Sequence, residues 1–405
     1  MDGTLPVGEC SWRLPVPFSI VWEYYKRLIV IRKICFLFLS LVTVSTVAAQ
    51  GVVAVDGPYI MYDGDRAMRY MATAPDGSFV DTVYARIPER LAFTVVSDDG
   101  GYSFDVNIRP GGGYSRLPSE VDVEGDIIVL SDPHGDFVSL LSVLRNNGAV
   151  GESLEWTFGS GTLVIIGDVF DRGKDVNTIL WFVEKLRQEA ERAGGRVIFQ
   201  IGNHEDIVLK GNYRYTEDKY KEFAGRAGVS LRDLYGKDSE LGRLIRSANI
   251  VSRLNDNVIV HAGLGGEFFR RGLSFDEVNG MVDDYLGVPN DSLAVIGGDE
   301  EFVFRTVGPL WYRGMVRDDD TEKYPPVSMA TLDSALNRLG ASRVIVGHTV
   351  FGDVTQRLGG RVVAVNVDSR KNRVAGRGRG LLIRDGRLYV IFDDKVPALL
   401  DSIAE

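Results

Sequence analysis

The run Leu163-Val-Ile-Ile166, followed at once by Gly167-Asp-Val-Phe-Asp-Arg-Gly173, decides the fold. A short, wholly apolar run reads as a strand buried on both faces, and the polar cluster after it reads as the loop leaving that strand. Four further runs repeat the pattern: Ile127–Leu130 into Ser131-Asp-Pro-His-Gly-Asp136, Val197–Ile201 into Gly202-Asn-His-Glu205, Val258–Val260 into His261-Ala-Gly263, and Val344–Val346 into Gly347-His-Thr349. Helical stretches at Phe137–Asn146 and Asn177–Arg192 fall between them, so a sheet covered by helices, an α/β fold, is expected. Ligand-binding loops of such sheets lie at the carboxyl ends of strands. All five clusters therefore converge on one site.

The chain has four histidines, His134, His204, His261 and His348, and each stands in one of these loops beside Gly, Asp or Asn. One loop histidine is an ordinary surface residue; all four in this context point to a metal. Two divalent ions a few ångströms apart need a bridging carboxylate and mixed oxygen and nitrogen donors, with positions left open for water and substrate. Asp132, His134, Asp168, Asn203, His261 and His348 supply that set.

The order of these clusters resembles the calcineurin-like metallophosphatase superfamily over roughly Asp126–Phe392. Its motifs run Gly-Asp-x-His, Gly-Asp-x-x-Asp-Arg-Gly, Gly-Asn-His-Glu, His-Ala-Gly and a late Gly-His. The resemblance implies a layered α/β/β/α sandwich holding two divalent ions, with Mn, Fe and Zn all suited to N/O donors. It implies that Asp132 and His134 bind the first ion, that Asp168 bridges both, and that Asn203, His261 and His348 complete the second. His204 would be the general acid, oriented by Asp171, and a metal-bridging hydroxide the nucleophile. Arg172 would bind phosphate, as would Arg313 in Pro309-Leu-Trp-Tyr-Arg313; the plainer alternative for Arg313 is a surface salt bridge. Ser131 departs from the family pattern, which has Gly there, so a slightly altered loop with both ligands intact is expected. Asp368, at the end of Val365-Asn-Val-Asp368, reads either as support for the ligands or as a plain strand-terminal residue.

Asp171-Arg172-Gly173 together with Gly-Asn-His-Glu resembles the phosphoprotein phosphatase branch, since diadenosine tetraphosphate hydrolases generally lack the Asp171 equivalent. The Leu-Trp-Tyr-Arg and Gly-His-Thr segments are similar to the Shewanella-like protein phosphatases. The expected reaction is hydrolysis of a phosphomonoester on a phosphorylated protein, at Ser/Thr or Tyr. A nonspecific phosphatase of small phosphomonoesters and a nucleotide or diadenosine polyphosphate hydrolase of the same fold stay open as alternatives.

Ahead of these motifs, Tyr59–Tyr62, Phe79–Ile87, Ala92–Val96 and Ser103–Ile108 alternate between Asp-Gly and Gly-Gly turns, which predicts a small antiparallel β domain over residues 50–119. Residues 120–400 then form the phosphatase domain. The β domain has no Trp and no motif that names a ligand; a β-rich binding protein with an inactive phosphatase domain is the reading from another class. Glu205–Asn249 and Gly265–Pro309 read as insertions that cap the cleft. Within them Ser274-Phe-Asp-Glu277 is a capping box that opens a helix to about Leu286. Gly380–Arg384 and Leu388–Phe392, joined by Asp385-Gly386, read as a closing hairpin.

Residues 1–49 have another character. Lys26, Arg27, Arg32 and Lys33 precede an uncharged run, Ile34–Ala49, that ends in small residues, which reads as a signal peptide cleaved after Ala49 and so as export. An uncleaved anchor would have to extend back through Leu28–Ile31, where Arg32 and Lys33 interrupt it. Both cysteines, Cys10 and Cys35, fall in this leader, so the exported part carries no thiol. The whole chain has net charge −10. Without the leader's five basic and three acidic residues it has 41 basic and 53 acidic, a net −12 that disfavours a nucleic-acid backbone as partner. The mature amino terminus is accordingly expected at or near Gln50 when the native protein is sequenced; an intact Met1 in a cytoplasmic fraction would overturn the export reading.

Overall fold

The first strands of the computed structural model, which describes residues 52–367 and 378–400, are β1 (Val52–Ala54), β2 (Asp56–Asp63), β3 (Ala67–Thr73), β4 (Phe79–Tyr84), β5 (Leu91–Val96) and β6 (Ser103–Ile108). They make two three-stranded sheets, ordered β2-β3-β4 and β1-β5-β6. The first is the small antiparallel sheet expected from the sequence. In the second, β1 runs parallel to β5. Strand β3 escaped the sequence reading because Tyr70, Met71 and Ala72 are buried in succession, so the alternation that marks a half-buried strand is missing.

Residues 120–400 hold two six-stranded mixed sheets. One is ordered β10-β9-β8-β16-β17-β18, with β8 (Ile127–Ser131), β9 (Thr162–Ile166) and β10 (Arg196–Phe199) parallel, followed by β16 (Arg379–Arg384), β17 (Arg387–Phe392) and β18 (Ala398–Leu399). The other is ordered β14-β15-β13-β12-β11-β7, from β7 (Glu120–Val121), β11 (Val251–Leu254), β12 (Asn257–Val260), β13 (Arg343–Val346), β14 (Thr355–Arg357) and β15 (Val362–Ala364). Successive residues of each strand face opposite ways. Ile127, Val129, Val164, Ile166, Ile259 and Ile345 join one apolar cluster between the sheets. Their neighbours Ile128, Leu130, Leu163, Ile165, Val258 and Val344 join a second, with the helices outside. These are the four layers of an α/β/β/α sandwich.

Register sets the site. Ser131 is level with Ile166, and Val260 with Val346, so the loops after β8 and β9 leave one sheet side by side, and those after β12 and β13 leave the other. Helices α1 (Phe137–Asn146) and α2 (Val176–Arg192) follow the first two loops, and the short α3 (Asn203–Leu209) follows β10. Both insertions carry helices, the Ser274 capping box opens the expected one at Phe275–Tyr285, and β16 and β17 form the expected hairpin across Asp385 and Gly386. The leader and Asp368 lie outside the described residues. Among the described residues no helix is long and apolar enough to cross a membrane.

The N-terminal strands have no core of their own. The described residues form one compact unit, and Tyr59, Ile60, Tyr70, Phe93 and Phe104 belong to the same buried cluster as the buried residues of α2. Trp181 of α2 packs edge-on against Phe93, centroids 4.8 Å apart, and donates its indole N–H to Pro58 O at 3.1 Å. Asn177, also on α2, donates to Asp56 Oδ1 at 2.7 Å and accepts from the Tyr235 hydroxyl at 2.9 Å. Trp181→Ala should therefore lower stability by about 3–5 kcal/mol within a single urea transition. Two separated transitions, with the mutation moving only one of them, would mean that the N-terminal strands fold independently.

Candidate metal centre

Asp168, at the carboxyl end of β9, is buried, and imidazoles approach it from three sides. Its Oδ2 lies 3.3 Å from His261 Nε2, 3.8 Å from His134 Nε2 and 3.9 Å from His204 Nε2, while Oδ1 accepts the His204 backbone N–H at 2.8 Å. Two sets of donor atoms share this carboxylate. His134, Asp168 and His204 form one and Asp168, His261 and His348 the other, with the atoms of each set within 4.8 Å of one another.

His134 and His261 are each aimed by the far nitrogen, the arrangement that fixes an imidazole for metal binding. His134 Nδ1 meets Phe170 O at 2.8 Å and His261 Nδ1 meets Ile166 O at 2.8 Å, so both turn Nε2 inward. His261 Nε2 also lies 3.0 Å from Asn203 Oδ1, which brings Asn203 to the site. His348 Nε2 is buried without a hydrogen-bond partner. A buried polar atom left alone costs free energy unless something occupies its lone pair, and a cation at the shared set would do so. The donors present thus fit a divalent metal centre. His204 differs: its Nδ1 is bound to the Asp171 carboxylate at 2.7 Å, and the other Asp171 oxygen accepts from Thr216 Oγ1 at 2.5 Å.

Asp132 enters through its surroundings. Asn366 Nδ2 donates to Oδ2 at 2.7 Å, the His348 backbone N–H donates to Oδ1 at 3.1 Å, and the Ser131 hydroxyl also donates to Oδ1. Ser131, the departure from the family motif, thereby becomes a support for the Asp132 carboxylate. It occupies space against Gly347, where a Cβ would collide with its hydroxyl. A Cβ at Gly202 would likewise strike the Asp168 carboxylate.

The charges sort by neighbour. Burial opposes ionisation of Asp168, but His261, His204 and His134 together hold it well below the ordinary carboxylate range. Burial pushes Asp132 up to about 6. Burial also lowers His134 to about 4, and it lowers His348 well below the ordinary range with repulsion from His261 and Arg313. For His261 the Asp168 and Asp132 charges outweigh burial and raise it to about 9; for His204 the charges of Asp168 and Asp171 also outweigh burial and move it above the ordinary imidazole range. Both proposed phosphate ligands stand at the rim. Arg172 is exposed, stacked 5.6 Å over Tyr215, and its charge is felt at His134 and His204; Arg313 is half-buried beside His348 and donates to Thr349 Oγ1 at 3.0 Å.

A match to the calcineurin-like phosphoesterase family model spans residues 125–351, from before Asp132 to just beyond His348, and so includes all ten candidate site residues. The chain belongs to the calcineurin-like phosphoesterase family. It is 31% identical over 250 residues to an uncharacterized protein of Schizosaccharomyces pombe, covering 59% of this chain and 72% of that one. It is 28% identical over 269 residues to Shewanella-like protein phosphatase 2 of Arabidopsis thaliana, covering 55% of this phosphoesterase and 66% of the relative. With Shewanella-like protein phosphatase 1 of Plasmodium berghei it shares 31% identity over 241 residues, 58% and 64% of the two chains. The chain thus spans just under two thirds of the length of these two relatives. Among solved structures it is similar to a cold-active protein-tyrosine phosphatase of a psychrophilic Shewanella species. There the TM-score is 0.73 at 28% identity, with 85% of this chain and 99% of that one covered.

Several supports of the phosphoesterase site were not legible in its motifs. Thr216, Tyr215 and Asn366 lie outside them, and the only signal for Asn366 was its place two residues before Asp368. Glu205 was legible as a motif letter but not as a part. Its carboxylate, fully buried, accepts the backbone N–H groups of Asp168, Val169, Phe170 and Gly202 at 2.9, 2.8, 3.2 and 2.7 Å. Burial, with the Asp168 charge, pushes Glu205 up to about 7, against four donors that favour the ionised form. Glu205→Gln would turn an amide N–H₂ toward those donors. It should lower stability by about 2–3 kcal/mol, as removal of a buried acceptor does, and should loosen Asp168. Unchanged thermal and urea midpoints would show that the loop does not depend on this carboxylate.

Proposed function

We propose that this chain is a metal-dependent phosphatase of the Shewanella-like type, hydrolysing phosphomonoesters of phosphorylated protein side chains. The observation that carries the reading is the His204–Asp171 pair, set beside a carboxylate shared by two donor sets. Asp132, His134 and Asp168 would hold one divalent ion, and Asp168, Asn203, His261 and His348 the other. Manganese, iron or zinc bound there would polarise phosphate oxygens and lower the pKa of water.

The chain's own residues account for the rest. Arg172 and Arg313, at opposite ends of the histidine set, bind the phosphate oxygens and orient phosphorus toward the buried donors. Water adds to phosphorus as the bond to the ester oxygen breaks. His204 gives that oxygen its Nε2 proton, and Asp171 stabilises the charged imidazole beforehand and fixes the ring. Half-exposed Tyr215, 5.5 Å from the His204 ring, flanks the point where a leaving side chain would depart. A second reading, hydrolysis of small phosphomonoesters outside the cytoplasm, is favoured by the basic-then-apolar leader.

One experiment separates ligand from acid. His204→Asn should keep its metals while kcat on phosphoserine falls roughly 10²–10⁴-fold, and an aryl phosphate with an acidic phenol should suffer less. Asp168→Asn should instead lose metal, as should the native chain in excess chelator, with activity disappearing in parallel. Metal loss in His204→Asn, or equal slowing of both substrates, would remove His204 as leaving-group acid.

A further inference from the structure

Beside the metal centre lies a second cavity of about 210 Å³ whose walls include three cations, Lys210, Arg305 and Lys323, and no carboxylate. In a chain of net charge −10 such a grouping is against the trend. The cavity begins at the site: Ile207 is one helical turn beyond Asn203 on α3, and Trp311 lies edge-on to His348 with centroids 5.9 Å apart. It also shares Arg305 with a larger cavity of about 610 Å³, so the surface continues outward as a groove.

The three cations are not equally committed. Lys210 is tied to Asp206 at 2.5 Å and to Asn290 Oδ1 at 3.0 Å. Arg305 reaches its nearest carboxylate, Glu301, only at 3.9 Å, and otherwise donates to Asn290 O at 3.2 Å. Lys323 is exposed, rests 5.0 Å from the Tyr324 ring, and has no ion pair among the described residues. The acidic run Asp318–Asp320 precedes it, but none of these carboxylates lines the cavity, and Asp319 is engaged by Arg317. Two under-neutralised cations, spaced along a cleft that opens off the reaction site, make an anion subsite for something joined to the phosphate being cleaved. In the larger cavity, by contrast, Arg270 and Arg271 both pair with Glu267.

We infer that this cavity is a specificity subsite that receives an acidic side chain next to the phosphoresidue of a peptide substrate. The inference rests on the phosphoprotein reading above and names the class of substrate within it. Arg305 and Lys323 make the contact, and Lys210, held by Asp206, forms the floor.

The test uses the full chain and matched phosphopeptides that carry Glu, Ala or Lys beside the phosphoresidue, with p-nitrophenyl phosphate as a substrate that cannot reach the cavity. The acidic peptide should be favoured about tenfold in kcat/KM over the alanine peptide, mainly through KM, and the margin should shrink as salt screens it. Arg305→Ala with Lys323→Ala should bring the margin close to one and leave p-nitrophenyl phosphate turnover unchanged; Lys323→Glu should favour the lysine peptide. Binding of the same peptides, labelled and followed by fluorescence anisotropy, reads the preference without turnover. A chain that hydrolyses no phosphoester, yet binds the acidic peptide more tightly in an Arg305- and Lys323-dependent way, would sink the catalytic reading and keep the subsite. Active protein with equal kcat/KM for acidic and neutral peptides, or a preference that survives the double variant, would overturn the subsite. Turnover of a diadenosine polyphosphate that needs Arg305 and Lys323, with no peptide preference, would assign the cavity to a second phosphate and overturn it equally.

Discussion

An ionised carboxylate deep inside a protein has to be compensated on every side, and Asp168 imposes that requirement on the whole site. Desolvation of a lone charge costs far more than folding can spare. His261, His134 and His204 surround one oxygen and a backbone N–H caps the other, so the compensation comes from three separate strand ends. Those groups cannot be supplied locally. The two sheets must meet with their loops in register, which is what the pairing of Ser131 with Ile166 and of Val260 with Val346 achieves.

Bringing polar side chains this close strains the backbone. Of the ten non-glycine residues with positive φ among the described residues, six are Asp132, His134, Asp168, Asp171, Arg172 and His348. Left-handed conformations of this kind persist only where surrounding contacts over-determine them. Glu205 is one such determinant, since it gathers four N–H groups from the loop after β9 and the turn before α3. The glycines at 202 and 347 are the complementary device, letting Asp168 and Ser131 approach where a side chain would collide.

The strand-then-loop pattern made the helix-covered sheet and nine of the ten proposed site residues legible, because side chains at strand ends announce themselves as His, Asp, Asn and Arg; the sandwich layering and Arg313 came only with the family resemblance. Supports were less legible because their work is done by groups every residue has, or by common side chains at arbitrary distance in sequence. Phe170 and Ile166 aim two histidines with backbone carbonyls, which no side-chain motif records. Thr216 is 45 residues from Asp171, and Asn366 is 234 from Asp132. Strand β3 was hidden for a different reason, that burial on both faces erases alternation.

The placement of the N-terminal strands bears on the same loop. Asp175, just after the Asp171-Arg172-Gly173 turn, accepts the Asp98 backbone N–H at 2.7 Å, and Asp98 in turn pairs with Lys219 at 2.9 Å. Tyr220 donates to Lys174 O at 2.6 Å and accepts from Val176 N at 2.9 Å, while Tyr215 O accepts the Arg172 backbone N–H at 2.9 Å. The turn that carries Asp171 is thus held between residues 215–220 on one side and the β5–β6 connection on the other. Hydrogen bonding through Asp98 and Asp175 therefore links the β5–β6 connection to the segment that follows Asp171-Arg172-Gly173. The buried cluster around Trp181 and Phe93 fixes those strands against α2, whose first turn begins directly after Asp175. The strands that the sequence presents as a small β domain thus pack, in the folded chain, against the helix and the turn that follow β9.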